Sequence, residues 1–285
     1  MEVPRLRFDV NCSILLTELP LLARPQAAHD AGFDAIECWW PFPTPSPGDL
    51  EVEAFVTSVR DAGVQLVALN TYGGDLASGE RGLASVPGRQ FEFADNLDVA
   101  VGVAKALGCP ALHVLYGNRD GSDPARQDEL AVERLALASA AAAEVGAVVL
   151  LEALSGVDRY PLRSASDVLA VLDRLDRDGG PGALLLCDVY HLSVNGEDPV
   201  EVIRRHADRI GHVQVADVPG RHQPGTGTLD LAGCLAALRA VDYRGWIGLE
   251  YVPVGPSAAS FDWLAPADRP GSTPEHGGPG GRGDR

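Results

Sequence analysis

Eight short runs rich in aliphatic and β-branched residues recur along this chain, and they constrain its fold more than any other feature. Longer amphipathic or Ala/Leu-rich segments separate the runs, which is the pattern of repeated strand–helix units around a parallel sheet. Eight such units close most simply into a barrel, so we expect one α/β domain, a single (β/α)8 TIM barrel. The predicted strands are 6–11, 35–39, 65–70, 111–116, 147–153, 183–189, 210–216 and 246–251.

The segments between these strands carry helix signals, with caps or breakers near their ends. The clearest predicted helices are 89–107, 124–145, 164–175 and 199–206. A length of 285 residues suits one barrel, which we assign to residues 1–265. Residues 266–285 are dominated by Pro, Gly and charge, with almost nothing apolar to bury. We therefore predict a disordered tail there.

The charge balance restricts the partners of this chain. A formal net charge of −17, from 40 acidic and 23 basic residues, opposes binding to phosphate backbones and anionic membranes. We expect a small-molecule substrate and neither a nucleic acid nor a membrane partner, while a homo-oligomer stays open. The five cysteines are scattered without a C-x-x-C pair. With a charged N-terminal segment that lacks an apolar core, they predict a reduced, cytoplasmic protein.

Polar side chains follow the apolar runs of the last four predicted strands: Glu152, Asp188, Gln214 and Glu250. In a parallel barrel these strand ends meet at the face that carries the active site. Three carboxylates and an amide oxygen form the hard oxygen set that Mg²⁺ or Mn²⁺ prefers. Taken singly, each could face solvent or cap the following helix. The four in register instead predict a metal site.

Two further residues stand close to these strand ends. His191 begins the loop after the sixth strand, where its imidazole either bonds a substrate oxygen or only caps a helix. Arg221 lies in a Gly/Pro-rich loop after the seventh strand and is the first candidate for pairing with a substrate carboxylate. A solvated loop arginine is the alternative.

Polar residues on the first four strands are weaker candidates for substrate contact. Glu37 either accepts a substrate hydrogen bond or supports the site, and burial beneath two tryptophans with a paired neighbour is equally open. Asn11, Asn70 and His113 could face the substrate or be satisfied inside the barrel. The long Gly-rich segment 71–89 after the third strand is a candidate lid.

Several motifs together resemble the hydroxypyruvate isomerase family within the xylose isomerase-like barrels. The resemblance runs over nearly the whole chain and stops before the tail. Its most specific pieces are SGERGLASVPGR, CDVYH, GHVQVADVPGRHQPGTG and GWIGLEY. The resemblance implies a TIM barrel that isomerises hydroxypyruvate to tartronate semialdehyde with the help of a divalent metal.

The resemblance also implies roles for single residues. The metal would be held at Glu152, Asp188, Gln214 and Glu250, and the two glutamates would double as acid and base. A related 2-oxo-tetronate isomerase or ketose 3-epimerase is the alternative, although such epimerases usually have histidine at the third metal position. One departure concerns the family's E-P-x-N pattern, because this chain has Ser155 in place of the amide. That change bears on substrate choice more than on reaction type.

Overall fold

The computed structural model of the protein describes residues 5–177, 179, 182–265, 268 and 269. Within these residues eight parallel strands form one closed barrel, in which neighbours in the chain pair and β8 returns to β1. This confirms the predicted single (β/α)8 TIM barrel. The strands are β1 (Arg7–Asn11), β2 (Ala35–Cys38), β3 (Gln65–Asn70), β4 (Ala111–His113), β5 (Val148–Glu152), β6 (Ala183–Asp188), β7 (Ile210–Val215) and β8 (Trp246–Leu249).

Helices surround the barrel, and at least one follows each of the first seven strands. The four helices predicted from the sequence are present, with ends within two residues of those expected. A short 3₁₀ helix, Ser257–Phe261, follows β8. The α-helices are α1 (Arg24–Asp30), α2 (Asp49–Ala62), α3 (Gln90–Leu107), α4 (Pro124–Glu144), α5 (Ala165–Arg177), α6 (Val189–Val194), α7 (Pro199–His206) and α8 (Leu231–Ala240).

The fourth strand is shorter than predicted, ending at His113 instead of residue 116. The reason is a change of partner. Tyr116 leaves the barrel and forms an antiparallel bridge with Gly82 of the long loop, and the Tyr116 carbonyl accepts the amide of Ser85 at 2.7 Å. The apolar run therefore continues as a brace for that loop, which local sequence pattern does not reveal.

The barrel interior is divided into an apolar and a polar part. Strands alternate side chains between two faces, so every second residue of each strand points inward. On β3 to β6 these inward positions include a small apolar cluster of Ala68, Ala111, Leu150 and Leu186. On β1, β2 and β7 they carry polar groups that are nearly inaccessible to solvent, namely Asp9, Asn11, Glu37, His212 and Gln214.

The long loop after β3, residues 71–89, consists of a buried base and an exposed tip. Leu83 and Ser85 in the base are buried. Arg134 of α4 secures this base by donating from Nη1 to the carbonyls of Leu83 at 2.6 Å and Val86 at 2.9 Å. The tip contains the exposed 3₁₀ turn Leu76–Ser78. The base is part of the packed core, so only the exposed tip of the loop remains a candidate lid.

The domain boundary predicted at residue 265 falls in a region that the structure describes only in part. Of the predicted tail, Asp268 and Arg269 are described and the remaining positions lie outside the described residues. Arg269 donates to the carbonyls of Ala31 at 3.2 Å and Phe261 at 3.1 Å. The barrel therefore keeps contacts past residue 265, and the disorder of the tail stays a prediction.

All five cysteines are buried and free of disulfide bonds. Burial raises the pKa of Cys109 to about 12, so its thiol stays protonated at neutral pH. None of the helices in the described part of the chain combines the length and the apolar character needed to cross a membrane.

Candidate active site

A cavity of about 470 Å³ opens at the carboxyl ends of the barrel strands. This is the face where TIM barrels carry their chemistry. Most of the residues singled out from the sequence line it: Asn70, His113, Glu152, His191, Arg221 and Glu250. Asp188, Gln214 and Glu37 do not line the cavity and are buried around its floor. The long loop adds Leu76, Ala77 and Arg81 to the wall.

Glu152, Asp188 and His191 form a compact cluster at the floor of this cavity. One ligand atom from each lies within 4.8 Å of the other two. His191 Nε2 is 3.6 Å from Asp188 Oδ2 and 3.9 Å from Glu152 Oε1. Both of these carboxylate oxygens are buried, and neither receives a hydrogen bond from a described residue. Such atoms are costly to bury alone, so the cluster is built to receive a positive or donating group.

Asp188 has two separate tasks, one for each oxygen. Its Oδ1 caps α6 by accepting the amides of Tyr190 at 2.7 Å and His191 at 3.3 Å. Its Oδ2 faces the cluster and accepts no hydrogen bond from a described residue. The two readings of this residue from the sequence, helix cap and site residue, are therefore compatible.

Glu250 is held from three sides. Its Oε1 accepts hydrogen bonds from Trp39 Nε1 at 2.6 Å and from Asn11 Nδ2 at 3.0 Å. Its Oε2 is paired with the guanidinium of Arg221. The same Arg221 Nη2 is 3.9 Å from Asp188 Oδ2, so the arginine lies between the two carboxylates. The charge of Arg221 is therefore already balanced by the protein.

The loop that carries Arg221 is organised by Asp217. Its carboxylate accepts four backbone amides, those of Val218, Gly225, Gly227 and Leu229, at 2.8 to 3.0 Å. These bonds outweigh burial and lower the pKa of Asp217. Arg221 itself has φ 57°, a left-handed conformation that most side chains avoid. The loop thus holds a strained residue in one position, directed at Glu250.

Glu37 belongs to a buried polar network below the cavity. It accepts hydrogen bonds from Asn11 Nδ2 at 2.9 Å, His212 Nε2 at 2.7 Å and Gln214 Nε2 at 2.8 Å. Burial opposes its charge, yet these bonds and electrostatic attraction to His212 bring the pKa of Glu37 below its ordinary value. Of the alternatives from the sequence, burial with paired neighbours describes Glu37.

Gln214 is oriented by this network. Because its amide nitrogen donates to Glu37, the amide oxygen remains as the acceptor of the side chain. Its strand pairs with β6 so that Gln214 lies opposite Asp188. An amide oxygen is thereby placed on the strand beside Asp188.

Two members of the buried network were missed in the sequence analysis, His212 and Asp9. Each lies two positions before a residue that was named, Gln214 and Asn11, so strand alternation places each pair on the same face. Asp9 is fully buried, and neither of its oxygens accepts a hydrogen bond from the described part of the chain. Burial and the neighbouring Glu37 raise its pKa well above the ordinary value. Counting in steps of two back from the strand ends would have found both.

His191 is fixed in one tautomer by Ser155. The Ser155 backbone amide lies 3.0 Å from His191 Nδ1, and the Ser155 hydroxyl lies 2.7 Å from the same atom. An amide N–H can only donate, so Nδ1 accepts and the ring proton sits on Nε2, facing the cluster. Burial and the nearby Arg221 lower the pKa of His191 to about 3, which keeps the ring neutral. The departure at Ser155 thus has a structural role.

His113 approaches the cluster from β4. Its Nε2 lies 3.4 Å from Glu152 Oε2. Burial lowers the pKa of His113 to about 3, so it is neutral as well. The two histidines therefore offer hydrogen bonds to the cavity but no positive charge.

The carboxyl groups that line the cavity or lie at its floor resist full ionisation. Burial, followed by repulsion from Asp188, raises the pKa of Glu152 well above its ordinary value. Burial raises the pKa of Asp188 to about 6 and that of Glu250 to about 7, although Arg221 lowers both. A cation among these groups would relieve both the repulsion and the unpartnered oxygens. The donor set of carboxylates and an amide oxygen therefore fits a hard divalent ion.

A family model described as the xylose isomerase-like TIM barrel matches residues 25–267 of this chain. A Streptomyces coelicolor protein, provisionally named a hydroxypyruvate isomerase, is 53% identical over 90% of this chain and 95% of its own length. The hydroxypyruvate isomerase of Escherichia coli is 30% identical, covering 92% of this chain and 99% of that protein. A 2-oxo-tetronate isomerase of Pectobacterium atrosepticum is 32% identical, covering 91% and 97%.

A solved structure gives the same assignment of the fold. A Brucella melitensis protein described as an AP endonuclease of family 2 superposes with a TM-score of 0.83 at 32% identity, covering 91% of this chain and 98% of that one. The barrel, the strand-end carboxylates and these relatives agree with the resemblance seen in the sequence motifs. The chain is an enzyme of the isomerase class and belongs to the hydroxypyruvate isomerase family of xylose isomerase-like TIM barrels.

Proposed function

We propose that this enzyme is a metal-assisted isomerase that converts hydroxypyruvate to tartronate semialdehyde (2-hydroxy-3-oxopropanoate). The observation that carries the proposal is the pair Glu152 and Glu250, which line one cavity from strands that are not neighbours in the barrel. Two carboxyl groups on different sides of a small substrate can move a proton between adjacent carbons. The unpartnered oxygens of Glu152 and Asp188 beside them support a bound cation.

The cation we propose is Mg²⁺ or Mn²⁺, held by Glu152, Asp188, Gln214 and Glu250. When bound, such an ion polarises a carbonyl and makes the neighbouring C–H bond more acidic. The protein supports these ligands through Asn11, Trp39 and Glu37, which orient Glu250 and Gln214. Groups behind metal ligands commonly control their orientation in this way.

The two glutamates divide the proton transfer. One removes a proton from the hydroxymethyl carbon of hydroxypyruvate, which gives an enediolate. A proton is then delivered to the former carbonyl carbon, and the hydroxyl proton passes from the old alcohol oxygen to the new one. His191, with its proton on Nε2, donates a hydrogen bond to a substrate oxygen during this exchange. Asn70 and His113 line the same wall and would position the substrate.

The nearest alternative substrate is a longer acid that undergoes the same isomerisation, such as 2-oxo-tetronate. A cavity of about 470 Å³ leaves room beyond a three-carbon acid. A 2-oxo-tetronate isomerase is also among the relatives. Epimerisation of a neutral ketose is less well supported, because the third position of the ligand set is Gln214 and not histidine.

A product assay separates these reactions. The Mn²⁺-loaded protein is incubated in D₂O with hydroxypyruvate, with the four-carbon 2-oxo acid, and with a neutral ketohexose, and products are identified by NMR. We expect tartronate semialdehyde carrying deuterium at the new hydroxyl-bearing carbon, and loss of this activity in Glu250→Gln. Inversion of a ketohexose carbon, without movement of its carbonyl and without conversion of either acid, would contradict the proposal.

A further inference from the structure

The cavity contains two arginines, and they differ in how their charge is used. Arg221 is paired with Glu250 and lies 3.9 Å from Asp188. Arg81, on the loop after β3, lines the same cavity. It forms no ion pair with any carboxylate of the described residues. Its Nη1 instead donates to two backbone carbonyls, those of Leu76 at 2.9 Å and Glu80 at 2.6 Å.

The surroundings of Arg81 leave its positive charge uncompensated. Partial burial and repulsion from Arg221 lower its pKa. The neighbouring carboxylate of Glu80 is turned elsewhere, because it pairs with Arg89 at 2.9 Å and accepts the amide of Asp75 at 2.7 Å. A cation in this setting is stabilised by an anion that arrives from outside the protein.

The free edge of the guanidinium has the right form for such an anion. Both hydrogen bonds that Arg81 donates to described residues use Nη1, which leaves Nε and Nη2 for a ligand. These two nitrogens form the parallel pair of donors that binds a carboxylate in a bidentate manner.

The backbone around Arg81 is rigid enough to hold this geometry. Gly82 bridges to Tyr116, and its amide bonds the Gly73 carbonyl at 2.7 Å. Gly82 has φ 100°, and a Cβ there would lie 2.1 Å from the Leu115 carbonyl oxygen. On the other side, Asn118 Nδ2 donates to the Gly79 carbonyl at 2.8 Å. Arg81 is therefore presented to the cavity from a braced segment.

We propose that Arg81 binds the carboxylate of the substrate and makes the enzyme select acids over neutral hydroxy-ketones. This replaces Arg221 as the first candidate for that role, since Arg221 is committed to Glu250. The inference rests on the proposed function for the identity of the acid. It adds that the carboxylate points toward the loop after β3 while the hydroxy-ketone faces Glu152 and Glu250.

The test is an equilibrium binding measurement that does not depend on turnover. D-Glycerate, an unreactive acid of matching size, and glycerol, which lacks the carboxylate, are titrated by calorimetry into the Mn²⁺-loaded protein. We compare wild type with Arg81→Met, Arg81→Lys and Arg221→Met, and with Arg126→Met on the exposed face of α4 as control. Thermal melts verify that each variant is folded.

We expect Arg81→Met to weaken glycerate binding on the order of 100-fold, which corresponds to the loss of two charge-assisted hydrogen bonds. Arg81→Lys recovers part of the affinity, glycerol binding is unchanged, and Arg126→Met resembles wild type. Glycerate binding that survives Arg81→Met, or that wild type lacks, overturns the assignment of Arg81. Turnover of hydroxypyruvate by wild type is assayed separately, so failure of the proposed function is seen independently of failure at Arg81.

Discussion

Glu37 and Glu152 are two glutamates with nearly equal burial in the same barrel, and their surroundings are opposite. Each of the two carboxylate oxygens of Glu37 accepts a hydrogen bond, from Asn11, His212 and Gln214 in total. Glu152 Oε1 has no partner among the described residues, and its other oxygen is 3.4 Å from His113. The pKa of Glu37 is lowered, whereas that of Glu152 is raised by burial and by Asp188.

The difference shows how to tell a buried glutamate that supports the fold from one that takes part in the chemistry. Glu37, whose two oxygens are both satisfied by the protein and which does not line the cavity, contributes to folding and has no oxygen left for a ligand. A glutamate that stays unsatisfied weakens the fold and is retained for what binds there. The comparison predicts that replacing the carboxyl group by an amide at the two positions has contrasting effects on stability and activity.

The largest effect is expected for Glu152→Gln. Loss of one acid/base group should lower kcat for hydroxypyruvate roughly 1000-fold. Because the substitution replaces a buried carboxyl group whose Oε1 accepts no hydrogen bond from the described residues, the midpoint of urea unfolding of the metal-free protein should not fall. Steady-state kinetics and urea titration measure the two quantities. If the Glu152→Gln enzyme remained active and became less stable, Glu152 would behave as Glu37 does, and the contrast between the two residues would be wrong.

The second effect concerns Glu37→Gln. An amide at this position would set an N–H against the donors of Gln214, Asn11 or His212, so hydrogen bonds to a charged acceptor are lost. We expect the free energy of unfolding to fall by about 3 kcal/mol. Glu201→Gln, in an exposed i, i+4 pair with Arg205, is the matched control and should change it by less than about 0.5 kcal/mol. Equal stability of the two variants would contradict a supporting role for Glu37.

A third test leaves Glu37 in place and disturbs its space. Gly248 of β8 faces this carboxylate, and a Cβ there would lie 2.6 Å from Glu37 Oε1. Gly248→Ala should cost about 1–3 kcal/mol of stability through overpacking. Gly102→Ala on α3 is the control, since a Cβ there meets nothing within 4 Å. That variant should be stabilised by up to about 1 kcal/mol. Tolerance of Gly248→Ala would show that the network is not closely packed.

The smallest effect is expected for Ser155→Ala. His191 keeps the amide of residue 155 as donor to Nδ1 and loses only the hydroxyl at 2.7 Å. We expect kcat/KM to fall by less than about tenfold, in line with one neutral hydrogen bond. A loss as large as that of Glu152→Gln would mean that the hydroxyl itself takes part in the reaction.

Much of the fold and of the site could be predicted from the sequence, and the reason lies in local periodicity. The apolar runs of strands and the caps of helices depend on residues that are close together in the sequence, so all eight strands were identified. The strand-end residues Glu152, Asp188 and Glu250 were found because a polar residue directly after an apolar run is conspicuous. Their roles as ligands and as acid and base stay proposals.

What could not be predicted depends on contacts between distant segments. The early end of β4 results from pairing of Tyr116 with Gly82. The pairing of Arg221 with Glu250 depends on the loop that Asp217 organises. Arg81 has no carboxylate partner among the described residues because the neighbouring Glu80 pairs with Arg89 instead. Sequence motifs named the loops that contain both arginines but could not assign their partners.

The central claim, that the unsatisfied oxygens at the mouth of the barrel hold a divalent cation, is tested most directly by metal binding. EDTA-treated wild type and Asp188→Asn are titrated with Mn²⁺ by calorimetry. Asparagine retains the cap of α6, so the variant should fold. We predict stoichiometric binding to wild type and a loss of at least about 100-fold in affinity in Asp188→Asn, with Glu201→Gln like wild type. Absence of binding to wild type, or unchanged affinity in Asp188→Asn, would contradict the claim.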